Sequence, residues 1–179
     1  LRVTLTREPG GSPLAAGIRK LLLDPRMRGL HPHAELLLFA ADRRQHVADT
    51  IAPALRRGDL VLCDRFTDST TAYQGAGRSV SPEALEWISR FAAQGLVPDL
   101  TLLFDLPIEE GLKRARVAKG GLDRMEDSAR AYFSRVRKGF LKLAREEPRR
   151  VKLIKVLGRE ADNICAEALG LVEASLEGR

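Results

Sequence analysis

Two short stretches, Leu60-Val61-Leu62-Cys63-Asp64 and Leu100-Thr101-Leu102-Leu103-Phe104-Asp105, are nearly unbroken apolar runs, and each closes on a carboxylate. They are entered through Gly58-Asp59 and Pro98-Asp99. Runs of this length without alternation predict strands buried on both faces, and such strands belong to parallel sheets. Val3-Thr4-Leu5-Thr6 and Val151-Lys152-Leu153-Ile154 complete the strand set. Helical patterns fill the intervals, approximately Pro13 to Leu23, Ala34 to Arg57, Pro82 to Ala93, Ile108 to Ala118, Ser128 to Arg145 and Ala161 to Leu176. Strands alternating with helices predict right-handed βαβ units in a three-layer α/β fold, a parallel sheet flanked by helices. Pro53 removes a backbone donor inside the longest helical stretch, which predicts a bend just before it.

No linker interrupts the 179 residues, so one domain spanning 1–179 is expected. No apolar run reaches the ~20 residues that cross a bilayer, and no basic-then-apolar leader opens the chain. No membrane partner and a cytoplasmic location are the expectations. Cys63 and Cys165 lie far apart without metal-type spacing, read as core or near-core thiols in a reducing compartment. The net charge of +6 points to anionic partners. Its excess gathers in Arg114 to Arg124 and Arg135 to Arg150, the second read as a solvated basic face. These segments lack the interleaved aromatics of a single-strand platform, and no helix-turn-helix or zinc-finger spacing is present, so no nucleic-acid partner is expected.

In a doubly wound sheet, ligands sit beyond the carboxyl ends of the strands, which is where Asp64 and Asp105 fall. Thr6-Arg7-Glu8-Pro9-Gly10-Gly11-Ser12-Pro13 follows a strand and opens a helix, with Ser12 as cap and Pro13 at the first turn. It reads as an anion site beside Arg7 or as an ordinary turn. Phe39 and Arg43, four residues apart, share a helix face. They suit a planar base, or a core ring beside a surface cation. In Asp64-Arg65-Phe66, Arg65 can clamp a phosphate and Asp64 can hold Mg2+, unless the two simply pair with each other. Beyond them, Ser69, Tyr73 and Gln74 offer a ring for a sugar and an amide for a pyrimidine edge, against plain turn chemistry around Gly75-Ala76-Gly77. The run from Lys113 to Glu126, basic and broken by Gly120-Gly121, reads as a flap over polyphosphate or a charged helix end.

In order, Thr6-Arg7-Glu8-Pro9-Gly10-Gly11, Leu38-Phe39-Ala40-Ala41-Asp42-Arg43, Asp64-Arg65-Phe66 through Ala72-Tyr73-Gln74-Gly75, and Leu122-Asp123-Arg124-Met125-Glu126 resemble the bacterial thymidylate kinases, from residue 1 to about Ile154. The resemblance implies the P-loop nucleoside-monophosphate-kinase fold, N-terminally truncated, and transfer of the γ-phosphoryl of ATP to dTMP to give dTDP. It implies that Phe39 stacks on thymine and that Arg43 bonds its carbonyl. Arg7 and Arg65 would hold the phosphate with Asp64 near Mg2+, Tyr73 would lie by the sugar, Gln74 would read the base, and Ser69 would belong to the same dTMP site. A lid at about 114–127 would bring Arg114, Arg116 and Arg124 to ATP. Arg116 or Arg124 would be the catalytic arginine, with Arg65 assisting. A homodimer packed through Ala34 to Arg57 is the family expectation.

The chain departs from that pattern in three places. No G-x-x-x-x-G-K-[ST] loop occurs, and with a chain beginning at Leu1 truncation is the simpler expectation. A relative that binds nucleotide without catalysis is the alternative, and a basic nucleic-acid module ranks third. Phe66 stands where the family has Tyr or His, and Met125 where some members have Tyr. Lys155-Val156 replaces the usual Asp-Ala pair, which bears on the adenine contacts.

Overall fold

Strand β1 (Val3–Arg7) lies parallel to β2 (Leu60–Asp64), with Val3 opposite Leu60 and Arg7 opposite Asp64. Strand β3 (Thr101–Asp105) lies parallel to β4 (Val151–Lys155), with Thr101 opposite Val151 and Asp105 opposite Lys155. These pairs belong to two compact units, Leu1–Val97 and Pro98–Arg179. The computed structural model describes residues 1–27, 29–119 and 126–178, with the backbone alone for 115–119 and 126–129.

In the first unit, α1 (Pro13–Leu23) starts where the Ser12 hydroxyl accepts from the Ala15 N–H at 3.4 Å, with Pro13 in the first turn. Helix α2 (Pro32–His46) runs into a wide π turn, Val47–Ile51, and resumes as α3 (Ala52–Arg56). The distortion falls just ahead of Pro53, where the missing donor predicted a bend. Asp59 then leads into β2 as a buried carboxylate. It accepts from Thr4 and Arg57, each at 2.9 Å, and from Arg2. Burial opposes its ionisation, but these bonds prevail and hold it at about 2. Leu36 packs with Val80 and Leu85 as a small core joining α2 to α5 (Pro82–Ala92).

Gly75-Ala76-Gly77, for which turn chemistry was the alternative reading, is helical instead: α4 (Thr67–Thr70) widens into a π segment, Thr71–Gly77. Gly75 permits this, because a Cβ there would lie 2.8 Å from the Leu85 side chain of α5.

In the second unit, α6 (Ile108–Lys119) and α7 (Glu126–Glu146) connect β3 to β4, and α8 (Ala161–Glu177) follows. Among the described residues, Val136, Val151 and Ile154 are its buried apolar ones. Arg137 of α7 grips Asp105 through two bonds of 2.7 and 2.9 Å, so this strand-end carboxylate ties a helix down. Arg150 likewise bonds Glu147 at 2.8 Å and Thr101 at 3.1 Å, so the Arg135 to Arg150 cluster is structural in part rather than simply solvated.

Two further expectations are corrected. The strands are parallel, but Leu5, Leu62, Phe104 and Leu153 are exposed, because among the described residues each sheet has two strands. Cys165 is exposed on α8 rather than near the core, whereas Cys63 behaves as read, its thiol pushed up to about 12 by burial.

Candidate active site

The register of the first sheet sets Arg7 beside Asp64, and the Glu8 N–H donates to the Asp64 carbonyl at 2.9 Å. Arg7, Glu8, Asp64 and Arg65 therefore share the carboxyl end of one parallel pair, the ligand end of such sheets. Arg65 takes a left-handed backbone, φ 68°, that side chains other than glycine disfavour. Strain of this kind gathers where function needs a fixed direction. Its guanidinium lies 4.8 Å from the centre of the Tyr73 ring, contributed by the π segment.

Glu8 is the hub. Although an acid, it is buried, and a buried carboxylate needs partners. Its Oε2 accepts from Arg43 Nε at 2.8 Å, and its Oε1 meets His46 Nδ1 at 3.0 Å. The far nitrogen of His46 meets the Thr6 hydroxyl at 2.7 Å. Arg43 also donates to the Thr70 hydroxyl at 3.0 Å and lies 5.1 Å from the centre of the Phe66 ring. The loop after β1, α2, α4 and the turn after β2 thus converge on one guanidinium. Two of its five N–H groups serve Glu8 and Thr70, so the cation is oriented before any ligand arrives.

Asp42, next to Arg43, is fully buried and accepts the Gly10 N–H at 2.7 Å, which ties the loop after β1 to α2. Its other oxygen has no partner among the described residues. Burial first, then the nearby charge of Glu8, raises its pKa to about 6, against the pull of the Gly10 bond. In the same loop the Glu8–Pro9 peptide is cis and Gly10 is left-handed at φ 95°. Gly11 leaves room for His46 and for the Arg7 carbonyl, 2.6 Å from where a Cβ would stand.

Gln74 is buried on the π segment and donates to Glu35 of α2 at 2.9 Å. Phe39, half-buried, stands one helical turn from Glu35 and one from Arg43. Ser69 is half-buried beside Thr70 in α4. Arg7, Phe39, Arg43, Asp64, Arg65, Ser69, Tyr73 and Gln74 all belong to the first unit. Arg114 lies in the second, exposed and paired with Glu110 at 3.3 Å. Arg116 lies on α6, where only the backbone is described, and Arg124 lies outside the described residues.

The thymidylate kinase family model matches residues 1–163. The chain belongs to the thymidylate kinase family. A thymidylate kinase of Pseudomonas syringae pv. tomato is 50% identical over 177 residues, 99% of this chain and 80% of that protein. One from Pseudomonas putida is 53% identical over 154 residues, 86% of this chain and 73% of that protein. A solved thymidylate kinase from Ehrlichia chaffeensis superposes with a TM-score of 0.76 at 31% identity, covering 96% of this chain and 81% of that one. The α/β class and the nucleoside-monophosphate-kinase fold expected from the resemblance stand on that likeness.

Reading for this family's motifs singled out the residues that would face a ligand and passed over Glu8, Glu35, Asp42, His46 and Thr70. A signal was available for part of this set. Asp42, Arg43 and His46 fall on neighbouring helical positions, and three polar residues so close on a helix that must be buried call for a partner such as Glu8.

Proposed function

We propose that the protein is a phosphotransferase that moves the γ-phosphoryl group of ATP to dTMP, giving dTDP for dTTP synthesis. Its family supports this reading, and the observation that carries it in the structure is the Glu8-held guanidinium of Arg43. Glu8 directly follows Arg7, which lies opposite Asp64 at the carboxyl end of a parallel strand pair, with Arg65 next in sequence. A monophosphate on Arg7 and Arg65, with its base toward Phe39, Arg43 and Gln74 and its sugar by Ser69 and Tyr73, uses every one of these groups. The phosphate oxygen of dTMP then attacks the γ-phosphorus in line. Positioning and charge neutralisation supply most of the acceleration.

Asp64 fits a Mg2+ role: its carboxylate is exposed at the strand end, and among the described residues no side chain pairs with it. Mg2+ favours one or two carboxylates together with phosphate oxygens and water. Bound there, it would neutralise phosphate charge. Arg114, Arg116 and Arg124 are assigned to the ATP side, with Arg116 or Arg124 as the catalytic arginine. A homodimer through residues 34–57 and a cytoplasmic location complete the reading. No helix among the described residues is long and apolar enough to cross a membrane.

The relatives named above are all called kinases, which favours catalysis over a relative that only binds nucleotide. The test is a coupled assay of ADP release from ATP and dTMP, using the protein as its gene encodes it. Turnover that depends on dTMP supports the reading. Absence of dTDP sinks it, and dTMP binding without turnover would select the inactive alternative.

A further inference from the structure

Gln74 and Glu35 form a pair whose chemistry is directional. A carboxylate accepts hydrogen bonds and an amide has one end of each kind, so Gln74 must turn its nitrogen, not its oxygen, to Glu35. That bond is 2.9 Å long, Gln74 is buried, and the second oxygen of Glu35 accepts from Arg78 at 3.2 Å. The two helical segments that carry the pair, α2 and Thr71–Gly77, are both anchored on the small core around Leu36 and Leu85 or against it. The amide therefore has one preferred face, set before any base binds.

We propose that Glu35 is a positioning residue that sets the choice of pyrimidine by locking the orientation of the Gln74 amide. With its nitrogen held on the α2 side, Gln74 offers its carbonyl oxygen to the base. Thymine and uracil answer with an N3–H donor. Cytosine presents an unprotonated N3, an acceptor, and meets oxygen with a lone pair. Flipping the amide to suit cytosine would drive its oxygen against the Glu35 carboxylate. Discrimination thus comes from a repulsion built one residue behind the contact. A mismatched buried polar pair of this kind corresponds to about 5- to 150-fold in affinity.

The inference rests on the reading that Gln74 faces the base. Calorimetric titration of the chain with dUMP and with dCMP tests it, since these two lack the methyl group alike and differ only at positions 3 and 4 of the ring. The wild-type chain is expected to prefer dUMP by at least about 5-fold. Glu35→Gln lets both amides flip together, and Glu35→Ala frees Gln74 altogether, so both variants should narrow the gap between the two affinities by at least about 5-fold, any remainder being what Arg43 reads at a ring carbonyl. A preference undiminished in both variants, or lost affinity shared equally by the two nucleotides, overturns the lock while leaving the pocket standing. A wild-type chain that binds neither dUMP nor dTMP overturns the pocket, and the lock with it.

Discussion

Arg65 holds a left-handed backbone that costs a residue with a side chain about 1–2 kcal/mol. Arg65→Gly should therefore leave stability unchanged or raise it by up to about 1 kcal/mol. It should also weaken dTMP binding by about 10- to 100-fold through the lost charge-assisted bonds. Chemical denaturation paired with calorimetry separates the two effects, and a variant that binds dTMP normally would remove Arg65 from the site. Asp42 gives a pH signature. Its carboxyl titrates at about 6 in the fold, against about 4 in an unfolded chain, so between those values the folded state holds the extra proton. Stability from this group is thus fullest below about pH 4 and is lost as pH rises through about 6, by up to about 3 kcal/mol at pH 7. Asp42→Asn keeps an acceptor for the Gly10 N–H and removes the titration. Its stability advantage over wild type should grow from about pH 4 to about pH 7, and an advantage that stays constant would contradict the assignment.

At the scale of elements, the loop from Glu8 to Ser12 depends on how closely it approaches α2. Gly11→Ala would set a methyl group against His46 and the Arg7 carbonyl, both held in the polar network. A loss of about 1–3 kcal/mol in denaturant titrations is expected, together with weaker dTMP binding. A variant as stable as wild type would show that the loop yields freely. The helices and strands were legible because their signals are local: apolar runs for the strands, and Ser12-Pro13 for the first helix start. The π segment at Thr71–Gly77 was not, since widening a helix by one residue leaves no period of its own and Gly75-Ala76-Gly77 looks like a turn. Nor was the network on Glu8, whose partners Arg43 and His46 lie 35 and 38 residues away. The ligand-facing residues were readable from motif order, whereas the residues that aim them exist only in the folded arrangement.

At the scale of the whole molecule there are two compact units, each with its own two-stranded sheet, and we propose that they act as one domain. One cooperative calorimetric transition is expected, and two resolved transitions would separate them. The first unit also carries exposed apolar side chains on its helices: Leu37 at 58%, Trp87 at 67% and Phe91 at 65%, the last two with rings stacked 5.5 Å apart. Leu37 falls within the proposed dimer surface of residues 34–57, where Leu55 is exposed as well. Sedimentation should give twice the 19.8 kDa of one chain, reduced to a single chain by combining Leu37→Glu with Leu55→Glu. A wild-type protein that sediments as one chain counts against the dimer.

The wide turn at Val47–Ile51 works like a phase shifter in a gear train. Each residue of an α-helix advances the angle by about 100°, so one added residue rotates everything after it by that amount relative to everything before. Ahead of the turn, Arg43 and His46 aim inward at Glu8; after it, Ala54 is the residue that faces inward while Leu55 looks out. Eleven residues of unbroken α-helix would bring Ala54 back to within about 20° of Arg43. The wide turn moves that stripe off line by about one residue's angle, so the side of α3 that packs is set apart from the side of α2 that holds Glu8.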